Sequence, residues 1–303
     1  MAQPPHPSSQ SQLPDKKKIK FRRSHRRHSL YALKDDKKKN AVSHSKLREK
    51  RRLFIKKRGI YLLPNAFTTA ALLCGFYAIV QAMNSRFETA AIAIFLAMVL
   101  DGMDGRIARL TNTQSAFGEQ YDSLSDMVSF GVAPALVIYE WALKDIGRWG
   151  WLAAFIYCIG GALRLARFNT NTAVVDKRFF QGLPSPASGA LIAGYVWLSI
   201  DNRILVNDWP VSWISFALTI YAGITMVTNV PFYSGKALDA KHRVPFGVIV
   251  LMVFLFIAVS SNPPIVLFCL FILYGISGYI IWAYQFIKAY LKKRANHIDS
   301  RIG

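Results

Sequence analysis

The sequence predicts an all-α protein: a polytopic membrane bundle of about eight helices, preceded by a basic N-terminal tail. Hydrophobic residues make up 52% of the 303 residues, the mean hydropathy is +0.23, and only 18% of residues are charged, against roughly 25% in a soluble domain. The formal net charge is nevertheless +21. A chain that is both apolar and strongly basic must separate these properties along its length, which excludes a water-soluble globule and a wholly disordered chain.

The basic charge is concentrated in the first 59 residues, which hold 20 Lys or Arg against 4 Asp or Glu and leave +5 for the other 244. Residues 1–44 lack an apolar period and are predicted to be a disordered cytoplasmic tail. Residues 45–62 mix apolar and basic side chains, which is typical of an amphipathic juxtamembrane helix on anionic lipid headgroups. A nucleic-acid-binding tail is the alternative, but no aromatic stacking platform accompanies the charge, so we expect no nucleic-acid partner.

The rest of the chain holds eight stretches that approach the 20 or so apolar residues needed by a transmembrane helix. The fifth is short and rich in Gly and Ala, which makes its ends the hardest to define. We expect a membrane domain over residues 63–290 and a cytoplasmic C-terminal tail over 291–303. The candidate spans are Ala66–Met83, Phe87–Arg106, Gly118–Ala142, Trp151–Phe168, Ser185–Ile200, Val211–Thr228, Val244–Ser260 and Ile265–Ala289.

Loop charge predicts the orientation of these spans, because Lys and Arg accumulate on the cytoplasmic side of short loops. With the basic tail inside, three cation-bearing connections are also cytoplasmic: Arg106–Phe117, Arg164–Pro184 and Pro231–Arg243. An even number of spans returns the C-terminal Lys and Arg residues to the same side. Both termini are therefore expected in the cytoplasm.

Four aspartates lie at the predicted cytoplasmic ends of two consecutive spans. Asp101 and Asp104 are three residues apart in the second span, and Asp122 and Asp126 are four apart in the third. Residues at these spacings share a helical face, and the short connection makes the two helices antiparallel neighbours, so the pairs can face each other. Close carboxylates repel one another unless cations lie among them, and oxygen ligands of this kind suit Mg²⁺ or Mn²⁺.

The residues around these acids favour a phosphate ligand. Gly102, Gly105 and Gly118 allow a bulky group to approach the backbone, and Arg106 and Arg109 lie beside the acids, where an Arg near divalent ions indicates a polyanion. A divalent-cation transporter is the alternative from another class, but it would need acids deep along a pore. The pattern therefore predicts a metal-dependent phosphate site at the membrane surface.

The segment from Asp101 to Asp126 reads D-GM-DG-RI-AR-LTNTQSAF-G-EQY-D-SLS-D. It resembles the signature of the CDP-alcohol phosphotransferases, and all eight fixed positions of that signature match. The motifs DSLSDMVSFGVAPA, RLARFN, QGLPSPASG and LPNAFT resemble the membrane-integral phosphatidylserine synthases of bacteria within that family. Together these motifs extend the resemblance over roughly Leu63–Gly235.

This resemblance implies that CDP-diacylglycerol and L-serine react to give phosphatidylserine and CMP by metal-assisted direct displacement. Asp101, Asp104 and Asp122 are expected to hold a centre of two metal ions, Mg²⁺ or Mn²⁺. Asp126 is expected to act as the general base and to lie near the second metal ion. The residues expected to bind CDP-diacylglycerol are Asn65, Thr68, Gly105, Arg109, Ser115 and Gly118.

The acceptor pocket must recognise both the carboxylate and the ammonium group of serine. Arg164, Arg167 and Asn169, at the cytoplasmic end of the fourth span, are the candidates, with topology-determining charges as the alternative interpretation. Another acceptor, such as glycerol phosphate or inositol phosphate, would use the same chemistry but would require a further cation cluster.

The resemblance also implies a homodimer in the bacterial inner membrane, with its active site facing the cytoplasm. A membrane-tethered binding protein that acts through its tail is a further alternative. Deletion of residues 1–40 would abolish the function of such a protein but leave an enzyme largely active.

Overall fold

The computed structural model describes residues 63–170, 179–204, 209–233 and 246–302. Within these ranges the chain forms eight helices, and each of the eight apolar stretches falls largely on one of them. The predicted tail (1–44) and amphipathic helix (45–62) lie outside the described residues. The helices are α1 Leu63–Met83, α2 Phe87–Leu110, α3 Ala116–Ile146, α4 Arg148–Thr170, α5 Ser185–Asp201, α6 Trp209–Val227, α7 Phe246–Ser261 and α8 Pro263–Ile302.

Five of the described helices are long and apolar enough to cross a membrane: α1, α3, α4, α6 and the Pro263–Lys288 part of α8. α7 is apolar but has 16 residues, α5 has 17, and α2 carries charged residues in its last third. The structure thus confirms a mostly helical protein with helices of membrane-spanning length. Eight membrane crossings stay a prediction.

The short helix α5 lies at the centre of the bundle and packs against α2 and α8. Its Ala190, Leu191 and Ile192 are fully buried, and a Cβ on Gly194 would lie 3.3 Å from the Cα of Phe268. Small residues on α5 therefore allow the surrounding helices to approach closely. By contrast, α7 has no buried residue, as expected for a helix that faces lipid.

Helix α3 changes its winding directly after Asp126. A π-helical turn covers Met127–Val132, where Pro134 has no N–H to donate to the carbonyl of Phe130 four residues earlier. The Tyr157 hydroxyl of α4 donates to that carbonyl at 2.9 Å. This side-chain bond ties α3 to α4 close to the acidic residues.

A two-stranded antiparallel ribbon is the feature that the sequence did not predict. Strand β1 (Phe179–Gln181) pairs with β2 (Pro231–Tyr233), with Phe180 opposite Phe232. Strands of three residues are too short for an alternating apolar pattern to be recognised. The two strands lie within the connections Arg164–Pro184 and Pro231–Arg243, which were expected to be loops only.

The last helix continues beyond the end predicted for the last span. α8 extends past Ala289 to Ile302, because the sequence between Ala289 and Gly303 holds no Pro or Gly that would end a helix. The residues predicted as a C-terminal tail are thus helical to within one residue of the end.

Candidate active site

Three of the four aspartates converge between α2 and α3. One carboxylate oxygen from each of Asp101, Asp122 and Asp126 lies within 4.8 Å of the other two. The spacing of four places Asp122 and Asp126 on one face of α3, which is turned toward Asp101 on α2. Three negative charges this close repel one another strongly away from bulk water, so the fully ionised cluster requires compensating positive charge.

The cluster fits a hard divalent cation. The Oδ1 atoms of Asp122 and Asp126 are buried and have no hydrogen-bond partner among the described residues. Buried polar atoms are nearly always hydrogen-bonded, so unpartnered carboxylate oxygens indicate a ligand that binds there. Oxygen donors from several carboxylates are the set that Mg²⁺ and Mn²⁺ prefer.

The fourth aspartate, Asp104, has a different partner. Its Oδ2 accepts a hydrogen bond of 2.7 Å from the Thr68 hydroxyl of α1, and both residues are buried, at 4% and 3% exposure. It does not belong to the group of three that meets within 4.8 Å. Three of the four aspartates thus form a cluster, and the carboxylate of the fourth, Asp104, is hydrogen-bonded to α1.

A cavity of about 610 Å³ borders the acids. Asp104 and Asp122 both line it, so the cluster and the cavity share Asp122. The other lining residues come from the start of α1, the end of α2, the start of α3 and the connection between α2 and α3. They include all six residues expected to bind CDP-diacylglycerol: Asn65, Thr68, Gly105, Arg109, Ser115 and Gly118.

The start of α3 shapes one wall of this cavity. Ser115 caps the helix, because its extended backbone allows its Oγ to accept from the N–H of Gly118 at 3.0 Å. A Cβ on Gly118 would lie 3.1 Å from that Oγ and 3.4 Å from Oδ1 of Asn65. Glycine at position 118 thus keeps both the cap and the neighbouring amide in place.

The residues proposed for serine recognition have different surroundings. Arg164 donates from Nη1 to Ser185 Oγ at 2.6 Å, its single hydrogen bond among the described residues, and lies within electrostatic range of Asp126 and Asp101. Asn169 exchanges hydrogen bonds of 3.1 and 3.2 Å with the hydroxyl of Ser123. Both residues therefore stand beside the acidic face of α3.

Arg167 faces the ribbon. Its guanidinium donates to the carbonyls of Gln181, Val227 and Thr228 and to Oδ1 of Asn229, at 2.8–3.2 Å. Four of its five N–H groups can be used by these bonds. The side chain thus joins the end of α4 to β1 and to the segment after α6.

Sequence reasoning missed two side chains at the site. Ser185, the partner of Arg164, lies in the QGLPSPASG motif, and its position between two prolines was the available signal. Glu119 lines the cavity one helical turn before Asp122. A carboxylate in the first turn of a helix is common for electrostatic reasons alone, so its spacing offered no separate signal.

The sequence of the chain matches a known protein family. The family model described as CDP-alcohol phosphatidyltransferase matches residues 61–221. A Helicobacter pylori protein named CDP-diacylglycerol--serine O-phosphatidyltransferase is 34% identical over 77% of this chain and 96% of its own length. Proteins with the same name are 31% identical in Mycobacterium tuberculosis, over 72% of this chain and 78% of the relative, and 34% identical in Methanocaldococcus jannaschii, over 62% and 82%.

Proposed function

The chain belongs to the CDP-alcohol phosphatidyltransferase family, and on this premise we propose that it transfers the phosphatidyl group of CDP-diacylglycerol to L-serine, giving phosphatidylserine and CMP. The relatives named above carry that activity in their names. One observation supports it most strongly: Asp122 belongs both to the carboxylate cluster and to the cavity that holds all six expected lipid-nucleotide residues.

The chemistry assigned to the aspartates is what the family resemblance implies. Asp126 takes the proton of the serine hydroxyl, which is a poor nucleophile while protonated. The hydroxyl oxygen then forms a bond to the phosphatidyl phosphorus as the bond from that phosphorus to the CMP oxygen breaks, and CMP leaves with the bonding electrons. Direct transfer of this kind needs no covalent intermediate with the protein.

Asp101, Asp104 and Asp122 are proposed to hold a centre of two divalent ions, with Asp126 near the second. Bound Mg²⁺ or Mn²⁺ would neutralise the pyrophosphate charge and the charge that develops on departing CMP. The protein contributes the positions of the carboxylates. Arg109, on the cavity wall, is available for a phosphate oxygen because its Nε alone is bonded, to the carbonyl of Gly105, among the described residues.

The cavity assignment can be tested with two glycines of the same helix. A Cβ on Gly105 or Gly102 would meet no atom of the described residues within 4 Å, and Ala is favoured over Gly in a helix by roughly 1 kcal/mol. Gly105 lines the cavity and Gly102 does not. We expect Gly105→Ala to raise the KM for CDP-diacylglycerol about tenfold, equivalent to about 1.4 kcal/mol, because the added methyl group takes up space at the cavity wall. Stability should stay normal.

Gly102→Ala is the matched control and should leave that KM within about twofold. CMP release measured against CDP-diacylglycerol concentration, together with thermal unfolding of both variants, provides the comparison. An unchanged KM in Gly105→Ala would show that the ligand does not occupy this cavity.

Arg164 is proposed to bind the serine carboxylate, with Asn169 as an acceptor near the ammonium group. Since a hydrogen bond between charged groups contributes about 1.5–3 kcal/mol, Arg164→Gln should raise the serine KM about 10- to 100-fold. The KM for CDP-diacylglycerol should change much less. Initial rates over both substrates measure this difference.

The Arg167→Gln variant tests whether Arg167 binds serine or stabilises the fold. Arg167 was also proposed for the serine pocket, and its four bonds to the protein suggest that its loss mainly lowers the melting temperature. A serine KM raised in Arg167→Gln but unchanged in Arg164→Gln would reverse the two assignments.

The acceptor is tested by one assay on the purified protein. CMP release is followed with CDP-diacylglycerol, Mg²⁺ or Mn²⁺, and serine, glycerol phosphate or inositol phosphate in turn. Release with serine alone supports the proposal. Release with glycerol phosphate but not with serine would keep the chemistry and overturn the acceptor.

The same proposal includes the organisation expected from the sequence. Eight spans over residues 63–290 would place both termini and the active site on the cytoplasmic side of the bacterial inner membrane. The basic residues of 1–62 would contact anionic lipids, at about 1 kcal/mol per cation near the surface, residues 291–303 would extend into the cytoplasm, and the protein would act as a homodimer.

A further inference from the structure

Two serines of α3 donate hydrogen bonds to the backbone of α1. Ser125 Oγ donates to the carbonyl of Thr68 at 3.1 Å, and Ser129 Oγ donates to the carbonyl of Ala71 at 3.2 Å. All four residues are buried. Since residues four apart share a helical face, the two bonds form consecutive rungs between the same pair of helices.

The packing of these helices is tight at the second rung. A Cβ on Gly75 would lie 2.5 Å from Ser129 Oγ, so the helices approach as closely as glycine permits. With two side-chain bonds beside this contact, α1 can neither slide along α3 nor rotate against it without the loss of at least one bond.

The hydrogen bond between Ser125 and Thr68 is connected to the acidic site through a second bond made by Thr68. Thr68, whose carbonyl accepts from Ser125, donates its own hydroxyl to Asp104 Oδ2 at 2.7 Å. Its hydroxyl also lies 3.2 Å from a second acceptor, the carbonyl of Pro64. A threonine hydroxyl has one hydrogen, so the two acceptors compete for it.

We propose that Ser125 is a positioning residue, which fixes the backbone of Thr68 so that the Thr68 hydroxyl holds the Asp104 carboxylate at the cavity wall. Ser125 lies between Asp122 and Asp126 in the sequence. The same turn of α3 therefore carries two acidic residues and a hydrogen bond to α1. The bonds run from α3 to α1 and on to α2, and they set the fourth carboxylate relative to the cluster of three.

This inference rests on the proposed function, because its catalytic consequence concerns the metal ions and CDP-diacylglycerol. Without the Ser125 bond, Thr68 can turn its hydroxyl to Pro64, an acceptor within its own helix. Asp104 is then no longer held in one orientation. Metal and CDP-diacylglycerol affinity should fall, whereas serine recognition, which involves α4, should not.

The test compares Ser125→Ala with Ser129→Ala in the full-length protein. Each variant loses one bond from a serine to a carbonyl between the same helices, so similar reductions in melting temperature are expected. Ser125→Ala should weaken Mn²⁺ binding, measured by electron paramagnetic resonance without substrate, about tenfold, and kcat/KM for CDP-diacylglycerol by a similar factor. Ser129→Ala should leave both within about twofold, and the serine KM should be unchanged in either variant.

A double variant tests the route through Thr68. In a Thr68→Val background the hydroxyl is gone, so Ser125→Ala should add less than about a twofold loss of Mn²⁺ affinity. The proposal would be overturned if Ser125→Ala lost as much Mn²⁺ affinity in the Thr68→Val background as in the wild type. Equal losses of Mn²⁺ affinity in Ser125→Ala and Ser129→Ala would also overturn it. Failure of the wild-type protein to release CMP would reject the proposed reaction. The comparison of Mn²⁺ affinities would still test whether Ser125 positions Asp104 through Thr68.

Discussion

Asp126→Asn should lower turnover with serine by about 10²- to 10⁴-fold, the usual contribution of a positioned general base. The amide keeps the size of the carboxylate but cannot accept the hydroxyl proton. Its neighbours Asp101 and Asp122 remain at the proposed metal site, so CDP-diacylglycerol should bind nearly as tightly as before. Single-turnover CMP release and calorimetric binding of CDP-diacylglycerol measure the two effects.

Asp145→Asn provides the control for this variant. It makes the same substitution at the other end of α3, at an exposed position outside the cluster and the cavity, and should have normal turnover. Normal turnover in Asp126→Asn would remove Asp126 from the role of base. Equal loss of turnover and of CDP-diacylglycerol binding would instead assign it to the binding of substrate.

Asp101→Asn should weaken divalent-ion binding at least about 100-fold, because the loss of a group behind a metal ligand already costs about 10- to 100-fold. Asp101 is the one residue of the cluster that comes from α2, so its carboxylate closes the site opposite Asp122 and Asp126. Mn²⁺ binding followed by electron paramagnetic resonance measures this affinity without any turnover.

The activity of the wild-type protein should depend on the same ions. A chelator should abolish CMP release, and added Mg²⁺ or Mn²⁺ should restore it, with Asp101→Asn requiring much higher metal concentrations. Activity that persists at full rate in excess chelator would contradict a metal-assisted reaction.

Helical periodicity explains how much of the site could be predicted. Spacings of three and four placed the aspartates on facing sides of α2 and α3, and the structure brings three of them within 4.8 Å. The residues expected for the lipid nucleotide were assigned from the family resemblance and not from spacing, and all of them meet at one cavity. Features that depend on local spacing were thus accessible from the sequence.

Contacts between distant segments were not accessible in this way. Asp104 was grouped with the other acids, yet it bonds to Thr68, 36 residues earlier. Arg167 was a candidate for the serine pocket, and its bonds to segments about 60 residues later and to the ribbon were not indicated by any pattern. Periodicity assigns a residue to a face of its helix, but it does not specify which neighbour packs against that face.

The central claim is that divalent ions bind at the cluster of Asp101, Asp122 and Asp126 and engage the pyrophosphate of the lipid substrate. An anomalous difference map at the manganese edge, from crystals grown with Mn²⁺ and CDP-diacylglycerol, tests it most directly. The account predicts manganese peaks within bonding distance of the Asp101 and Asp122 carboxylates and of the pyrophosphate, with Asp126 beside them. Manganese bound only elsewhere, with substrate present and the three carboxylates bonded to protein groups alone, would contradict it.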